Sequence, residues 1–100
     1  MNSQYSIDGK KITVFGTEEF DFSSSIKVGK LPNGQWVIIK DRKTRIIMKD
    51  GYLIKEQAEK IIEIVGAKEV CLGTTAPVCS KTKLFLEGSN IDVFSLEKIL

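Results

Sequence analysis

The residues around position 75 combine the groups that a small anion-binding or nucleophilic site would use. Gly73, Thr74 and Thr75 follow an apolar run and offer backbone N–H groups and two hydroxyls, which can hold an anion where a helix begins close by. Cys79 comes next, and its thiolate would be favoured at a helix N-terminus, which makes it a candidate nucleophile. The sequence thus predicts a ligand site at Gly73, Thr74, Thr75 and Cys79. The alternative is a turn at Gly73, threonines that satisfy local backbone groups, and an ordinary half-buried thiol.

A strongly basic stretch is the second candidate site. Residues 27–55 carry eight lysines and arginines against Asp41 and Asp50, a local charge of +6 in a chain whose net charge is +2. With Trp36 nearby, such a cluster could bind phosphates and stack on a base, whereas the alternative is a solvated sheet edge that resists aggregation. The residues that would contact nucleic acid are Lys40, Arg42, Lys43 and Arg45.

Several kinds of chemistry have no support in the composition. The chain has no histidine, which removes the commonest general base and the Ser–His and Cys–His pairings. Its two cysteines, Cys71 and Cys79, are too few for a structural zinc site, so we predict no metal and no cofactor. We expect both thiols to be free, although cysteines eight residues apart could also meet in a disulfide across a bend.

The N-terminal half has the pattern of an antiparallel sheet. Asp8-Gly9 lies between two short apolar segments and predicts a tight hairpin. Residues 17–25 fit a short edge strand or an ordered loop. Residues 26–49 predict a three-stranded meander over 26–31, 36–39 and 44–48, with a turn at 32–35 and an end at Asp50-Gly51. The run at 36–39 is apolar on both faces, which is typical of a central strand.

The clearest element is a helix over residues 55–65. An apolar stripe recurs at helical spacing, Gly66 is a natural terminator, and Ile54 takes the N-cap position, which Ser, Thr, Asp or Asn would fill better. The stripe, which we expect to cover one side of the sheet, consists of Ala58, Ile61, Ile62 and Val65.

The last third of the chain leaves alternatives open. Residues 69–72 read as a strand and Gly73 to Pro77 as a loop. Residues 81–87 fit either a helix that Ser80 caps or a strand, and we favour the helix. A final short helix is predicted over residues 95–100. Together these elements predict one α+β domain over residues 1–100, with an N-terminal antiparallel sheet, the helix at 55–65, and a short strand and one or two short helices at the C-terminus.

Several segments resemble a known family. The most similar is Gly51-Tyr52-Leu53 leading into a helix with Ala58-Glu59-Lys60, followed by Ile7-Asp8-Gly9-Lys10 and the closing Leu96-Glu97-Lys98-Ile99-Leu100. On these the chain resembles the YunC-like family, a prokaryotic and archaeal group of unknown function. The family tends to have a cysteine where this chain has Met48-Lys49-Asp50, and an asparagine in place of Ile54. The resemblance implies an α+β fold and no particular activity.

The function that these observations favour is a small non-enzymatic interaction module that self-associates as a homo-oligomer. The alternatives are a small-ligand or anion binder, possibly an enzyme, at Gly73–Thr75 and Cys79, and a weak nucleic-acid binder through the basic meander, with nucleic acid the less expected partner. No apolar run approaches the roughly 18 residues that span a bilayer, and the first residues are polar. We therefore expect no membrane association and a cytoplasmic location.

Overall fold

Two helices and two β-sheets make up the part of the chain that the computed structural model describes, residues 5–15 and 27–98. The predicted α+β class is confirmed. The strands are β1 (Tyr5–Ile7), β2 (Lys10–Lys11), β3 (Thr13–Phe15), β4 (Lys27–Lys30), β5 (Trp36–Lys40), β6 (Val70–Thr74), β7 (Val93–Ser95) and β8 (Glu97–Lys98), and the helices are α1 (Met48–Val65) and α2 (Ser80–Gly88).

The smaller sheet has the order β2-β1-β8 and is antiparallel throughout. Its hairpin turns at Asp8 and Gly9, whose φ angles are 51° and 78°, and a two-residue loop with both φ angles positive matches the twist of the flanking strands. The predicted hairpin is confirmed. On the other side of β1, Tyr5 lies opposite Lys98 and Ser6 opposite Glu97, which places the last described strand next to the first.

The larger sheet has five strands in the order β3-β4-β5-β6-β7. The first three are antiparallel, while β5, β6 and β7 run parallel. Parallel neighbours need a crossover connection, and α1 and α2 supply the two crossovers. The carboxyl ends of β5 and β6 consequently meet at one edge, where Lys40 lies in register with Thr74.

Both faces of the five-stranded sheet are covered. One face packs against the helices, with Ile38 and Leu72 from the strands meeting Ile54 and Ile61 of α1. The other packs against the smaller sheet, where Val37, Ile39 and Cys71 contact a cluster formed by Tyr5, Ile7, Ile12, Leu31 and Leu96. The prediction that the apolar run at 36–39 is a central strand is therefore confirmed.

The predicted helix exists but begins seven residues earlier than expected. Ala58 and Ile61 are fully buried against the sheet, with Ile62 and Val65 packed beside them, and Gly66 ends the helix in the left-handed region at φ 71°. Ile54, predicted at the N-cap, is instead a buried residue in the middle of α1.

The third strand of the predicted meander, at 44–48, is absent from the described structure. Of this segment only Ile46 pairs, in a single parallel bridge with Val78. Asp50, expected to end a strand, accepts a hydrogen bond from the Ile47 N–H at 3.0 Å, which satisfies a backbone donor at the start of α1. The side chain of Asp50 thus starts a helix where the β-branched residues had suggested a strand.

The C-terminal third contains one confirmed element and two corrections. Residues 80–88 are helical, as favoured, although Cys79 rather than Ser80 precedes the first helical residue. Gly73 and Thr74, predicted in a loop, are the last residues of β6, and residues 93–98 form β7 and β8 instead of a final helix. Residues 17–25 lie outside the described residues. Neither helix in the described part of the chain is long and apolar enough to cross a membrane.

Candidate nucleic-acid interface

The carboxyl ends of β5 and β6 are joined by a set of hydrogen bonds from two threonines. The Thr74 hydroxyl donates to the Lys40 carbonyl at 2.8 Å and accepts from the Ala76 N–H at 3.0 Å. The Thr75 N–H also donates to the Lys40 carbonyl, at 3.2 Å. These contacts fix the two loops that leave the sheet edge, one starting at Asp41 and the other at Thr75.

Thr75 lies between the two loops and holds them together. Its hydroxyl oxygen accepts from the Arg42 N–H at 3.0 Å. Its hydroxyl hydrogen lies within reach of Asp41 Oδ1, at 3.2 Å, and of the Arg42 carbonyl, at 3.1 Å. The loop 41–47 is therefore anchored to the end of β6 by side-chain contacts more than 30 residues apart in sequence.

The guanidinium of Arg42 organises the rest of that loop. It donates to the carbonyl oxygens of Thr44, at 3.1 Å, and Arg45, at 3.2 Å, and it pairs with Asp50 Oδ2 at 2.7 Å. The hydrogen bond from Arg42 holds the pKa of the Asp50 carboxyl below its usual range. The loop therefore has a fixed shape, while Lys43 and Arg45 are exposed and make no ion pair within residues 5–15 and 27–98.

A second network converges on Asp41 from the other side of the edge. Tyr5 Oη donates to Asp41 Oδ2 at 2.8 Å, and Lys98 Nζ lies 3.1 Å from the same oxygen. Lys27 Nζ donates to Tyr5 Oη at 3.2 Å. The hydrogen bond from Tyr5 is the main reason that the pKa of Asp41 lies below its ordinary value, with Lys98 and Thr75 acting in the same direction.

These groups border an open cleft of about 460 Å³. Lys40 lies beside it and is partly buried, and both that burial and the nearby Arg42 lower the pKa of its ammonium group. Cations therefore outnumber the carboxylates at this edge, and hydrogen bonds to the backbone and to carboxylates hold several of them in place. The cleft is lined by Asp41, Arg42, Lys43, Thr75 and Lys98.

The structure brings residues of both predicted sites together at one cleft and leaves Cys79 apart from it. Thr75 is the one residue of the predicted anion site that lines the cleft beside the predicted nucleic-acid surface. Gly73 is buried in β6, where a Cβ would lie 3.1 Å from Ile7 and 3.2 Å from Leu96. The Thr74 hydroxyl is occupied by its hydrogen bonds to the Lys40 carbonyl and the Ala76 N–H. Cys79 is separate and does not line the cleft.

Sequence reasoning missed Tyr5, Asp41, Asp50 and Lys98 as members of the site. Asp41 had a usable signal, because it directly follows a buried strand and precedes a basic pair. Lys98 and Tyr5 had none, since only the pairing of β1 with β8 brings them to this edge.

Cys71 and Cys79 are free thiols, as expected. Among the residues described, no three His, Cys, Asp or Glu side chains are grouped so that they could hold a metal ion. The expectation that the protein has no metal site remains a prediction.

Comparison with known proteins places the fold. No family model matches the chain and no curated protein matches it. Several solved structures are similar. EndoMS in its apo form has a TM-score of 0.63 at 20% identity, over 91% of this chain and 38% of that one. EndoMS in complex with double-stranded DNA has a TM-score of 0.69 at 19% identity, over 94% of this chain and 39% of that one. A repair endonuclease from Pyrococcus abyssi has a TM-score of 0.59 at 13% identity, over 99% of this chain and 38% of that one.

At these identities the similarity establishes a shared fold. This chain spans less than two fifths of the length of each of the three proteins.

These neighbours overturn three expectations. The resemblance to the YunC-like family is wrong, because the structures that share the fold belong elsewhere. The interpretation as a non-enzymatic, self-associating module is wrong, because one neighbour is a repair endonuclease, and the homo-oligomer expected with it has no support. The low ranking of nucleic acid as a partner is wrong as well, because another neighbour is bound to double-stranded DNA. The segment Gly51-Tyr52-Leu53, which lies inside α1, is too short to identify a family.

Proposed function

We propose that this domain binds double-stranded DNA as part of a DNA-processing enzyme, and that the carboxyl edge of β5 and β6 contacts the phosphate backbone. The observation that carries the proposal is the cleft at this edge, which Arg42, Lys43 and Lys98 line together with Asp41 and Thr75. Lysine and arginine contacts to phosphates release condensed counterions from the duplex, which supplies most of the sequence-independent affinity for DNA.

The geometry of the edge suits a backbone contact. In sheets with parallel strands, ligands bind outside the carboxyl ends of the strands, and these are the ends of β5 and β6. Arg42 and Lys98 are held by Asp50 and Asp41, so binding would restrict few additional rotamers. Lys43 and Arg45 extend beside them into solvent, where they can reach phosphates on either side of the cleft.

A duplex suits this surface better than a single strand. Proteins that bind single strands combine a basic groove with aromatic rings on which bases stack. The described residues that line the cleft are charged or hydroxyl-bearing, with no aromatic ring among them. The fold shared with a protein seen in complex with double-stranded DNA supports the same choice.

Fluorescence anisotropy with a labelled duplex of about 20 base pairs tests the binding proposal. The double variant Lys43→Gln/Arg45→Gln removes two exposed cations that no described residue pairs with, so the fold should be unaffected. At roughly 0.1 M salt we expect its affinity for the duplex to fall by about tenfold or more.

The matched control is Lys30→Gln/Lys68→Gln, which removes the same charge from the opposite edge of the sheet. Lys68 lines the cleft at the amino ends of β5 and β6, and Lys30 lies over the Trp36 ring. We expect this control to bind nearly as tightly as the unchanged chain. Equal losses in the two double variants would reject the carboxyl edge as the contact surface.

The enzymatic part of the proposal concerns the protein in which this domain acts. Its support is the fold shared with a repair endonuclease. Conversion of a supercoiled plasmid to open circles in the presence of Mg²⁺ or Mn²⁺ tests it, with Lys43→Gln/Arg45→Gln as the variant that should lose activity together with binding. Tight duplex binding without any conversion would contradict this part and leave the binding proposal intact.

A further inference from the structure

Asp41 is an acid in a cleft that otherwise presents cations and a hydroxyl. The described residues that line this cleft with it are Arg42, Lys43, Thr75 and Lys98. The Asp41 side chain is 21% exposed and lies at the start of the loop 41–47, directly after β5. Its negative charge opposes the phosphate contact that its neighbours favour, because like charges repel at short range.

Three donors from separate parts of the chain converge on the Asp41 carboxylate. Tyr5 Oη, from β1, donates to Oδ2 at 2.8 Å, and Lys98 Nζ, from β8, lies 3.1 Å from the same oxygen. Thr75 Oγ1, from the loop after β6, lies 3.2 Å from Oδ1. Tyr5 is buried, and its hydroxyl oxygen accepts from Lys27 Nζ at 3.2 Å, which leaves the hydroxyl hydrogen for Asp41. Both carboxylate oxygens therefore have donors.

These donors are of the kinds that contact phosphate in complexes with DNA. Lysine, threonine and tyrosine side chains all donate to phosphate oxygens there. A carboxylate resembles a phosphodiester, because each spreads a single negative charge over a pair of oxygens that accept hydrogen bonds. The Asp41 carboxylate therefore lies where the donors of the cleft would hold a phosphate group, and it carries the same charge.

We propose that Asp41 is an internal competitor of DNA phosphate, a role that rests on the proposed function. A phosphate that enters the cleft takes the Lys98 ammonium from Asp41, while Tyr5 and Thr75 continue to hold the carboxylate. Lys98 is 58% exposed, and exposed ion pairs are weak because water screens them, so this exchange costs little. Asp41 thereby limits the affinity of the cleft for DNA and favours release.

Removing the charge of Asp41 should therefore strengthen binding. Asp41→Asn keeps a side-chain oxygen that can accept from Tyr5, and Asp41→Ala excludes a contribution from the new amide group. By fluorescence anisotropy with a labelled duplex of about 20 base pairs, at roughly 0.1 M salt, we expect both variants to bind at least about fivefold more tightly than the unchanged chain. A merely structural role predicts the opposite sign, because a distorted cleft binds less tightly.

The matched control is Asp92→Asn, which changes the net charge equally. Asp92 is exposed and precedes β7, at the opposite edge of the sheet from the cleft, so its affinity should change by less than about twofold. Salt dependence is a second readout. In the unchanged chain the carboxylate that loses Lys98 attracts a salt cation, which offsets one released by the duplex. The slope of log affinity against log salt should therefore steepen by about 0.9 in Asp41→Asn and not in Asp92→Asn.

Inorganic pyrophosphate tests the role of Asp41 without DNA. Its binding to the cleft can be followed by NMR through the backbone amides of Arg42 and Thr75. We expect Asp41→Asn to bind pyrophosphate at least about fivefold more tightly than the unchanged chain, because one repulsive charge is gone from the cleft. Asp92→Asn should bind it as the unchanged chain does.

The outcomes separate this role from the proposed function. Equal pyrophosphate affinity in Asp41→Asn and the unchanged chain overturns the role of Asp41, whether or not a duplex binds. Weaker duplex binding by both Asp41 variants also overturns it, because Asp41 would then only hold Lys98 and Tyr5 in place. If Asp41→Asn binds pyrophosphate more tightly but no form binds a duplex, the proposed function fails, and Asp41 remains a competitor of small phosphates.

Discussion

Asp50 connects the start of a helix to the candidate interface through a single carboxylate. The same oxygen, Oδ2, accepts from the Ile47 N–H at the beginning of α1 and from the guanidinium of Arg42, which shapes the loop 41–47. Losing this residue should therefore affect both the helix and the loop. Because Asp50 is partly buried, its contacts are less screened than those of an exposed pair.

The first prediction concerns this carboxylate. We expect Asp50→Ala to lower the free energy of unfolding by about 1–2 kcal/mol, since it removes a helix-start acceptor and an ion pair. Asp50→Asn keeps an acceptor for the Ile47 N–H and should lose less. Urea unfolding measures both, with Glu59→Ala as the control, because the exposed pair of Lys55 and Glu59 should contribute under about 0.5 kcal/mol. A cost for Asp50→Ala no larger than that of the control would contradict the assigned role.

The ionisation of Asp41 makes the stability of the domain depend on pH in the acid range. Its pKa in the folded state lies below 3.8, chiefly because of the Tyr5 hydroxyl. A depressed folded pKa means that the unfolded chain binds the proton more readily, so the stabilisation is fully present above 3.8 and is lost as the pH falls through the folded value. We expect Tyr5→Phe to raise the pKa of Asp41 and reduce this acid-dependent loss.

Carbon NMR of the Asp41 carboxyl against pH measures the shift directly, and unfolding at about pH 6 and about pH 3 measures its effect on stability. Tyr52→Phe is the matched control, since it removes the hydroxyl of an exposed tyrosine whose ring packs against Phe85. An Asp41 titration that is identical in Tyr5→Phe and in the unchanged chain would refute the assigned hydrogen bond.

At the scale of elements, the two helices pack closely where α1 has a glycine. A Cβ on Gly51 would lie 2.9 Å from Thr82 Cγ2 and 3.5 Å from the Phe85 ring, so the absent side chain lets α2 pack against the first turn of α1. Tyr52 adds an edge-on contact with the Phe85 ring, at a centroid distance of 5.1 Å. The packing of α2, and with it the position of Cys79, therefore depends on Gly51.

Gly51→Ala and Gly88→Ala should consequently change stability in opposite directions. Alanine favours a helix over glycine by about 1 kcal/mol, but at Gly51 the overlap with Thr82 should outweigh this gain and leave the domain less stable by about 1 kcal/mol. Gly88 is also helical and has nothing within 4 Å of an added Cβ, so its replacement should stabilise by about 0.5 kcal/mol. Thermal melts compare the two, and stabilisation by both would show that the helices are not in close contact.

An element can be predicted from the sequence when residues within it determine its conformation. It cannot be predicted in this way when contacts with distant residues determine it. The hairpin at Asp8-Gly9 and the helix end at Gly66 were predictable because one backbone conformation determines each. The strand predicted at 44–48 was wrong because Arg42 and Asp50 decide that region, through contacts to carbonyl groups and to the Ile47 N–H. Ile46 and Ile47 alone favour a strand, and their spacing contains no information about those contacts.

For the whole molecule, the candidate site depends on topology more than on any local motif. The basic residues 40–45 were identifiable from their charge, and Thr75 from its place after an apolar run. Nothing in the sequence indicated that these two segments adjoin, because their contact requires β5 and β6 to be parallel neighbours. Lys98 and Tyr5 reach the same edge only through the smaller sheet.

The distribution of charge over the molecule leads to the last prediction, which concerns salt. A protein that neutralises Z phosphates shows a slope of log affinity against log salt of about −0.9Z on duplex DNA. If Lys43 and Arg45 each contact a phosphate, Lys43→Gln/Arg45→Gln should make the slope shallower by about 1.8. Lys30→Gln/Lys68→Gln changes the net charge equally but should leave the slope unchanged, because those lysines lie at the other end of the strands. Anisotropy titrations from about 0.05 to 0.3 M salt separate the two cases. Equal slopes in both variants would mean that net charge, and not this edge, determines the affinity.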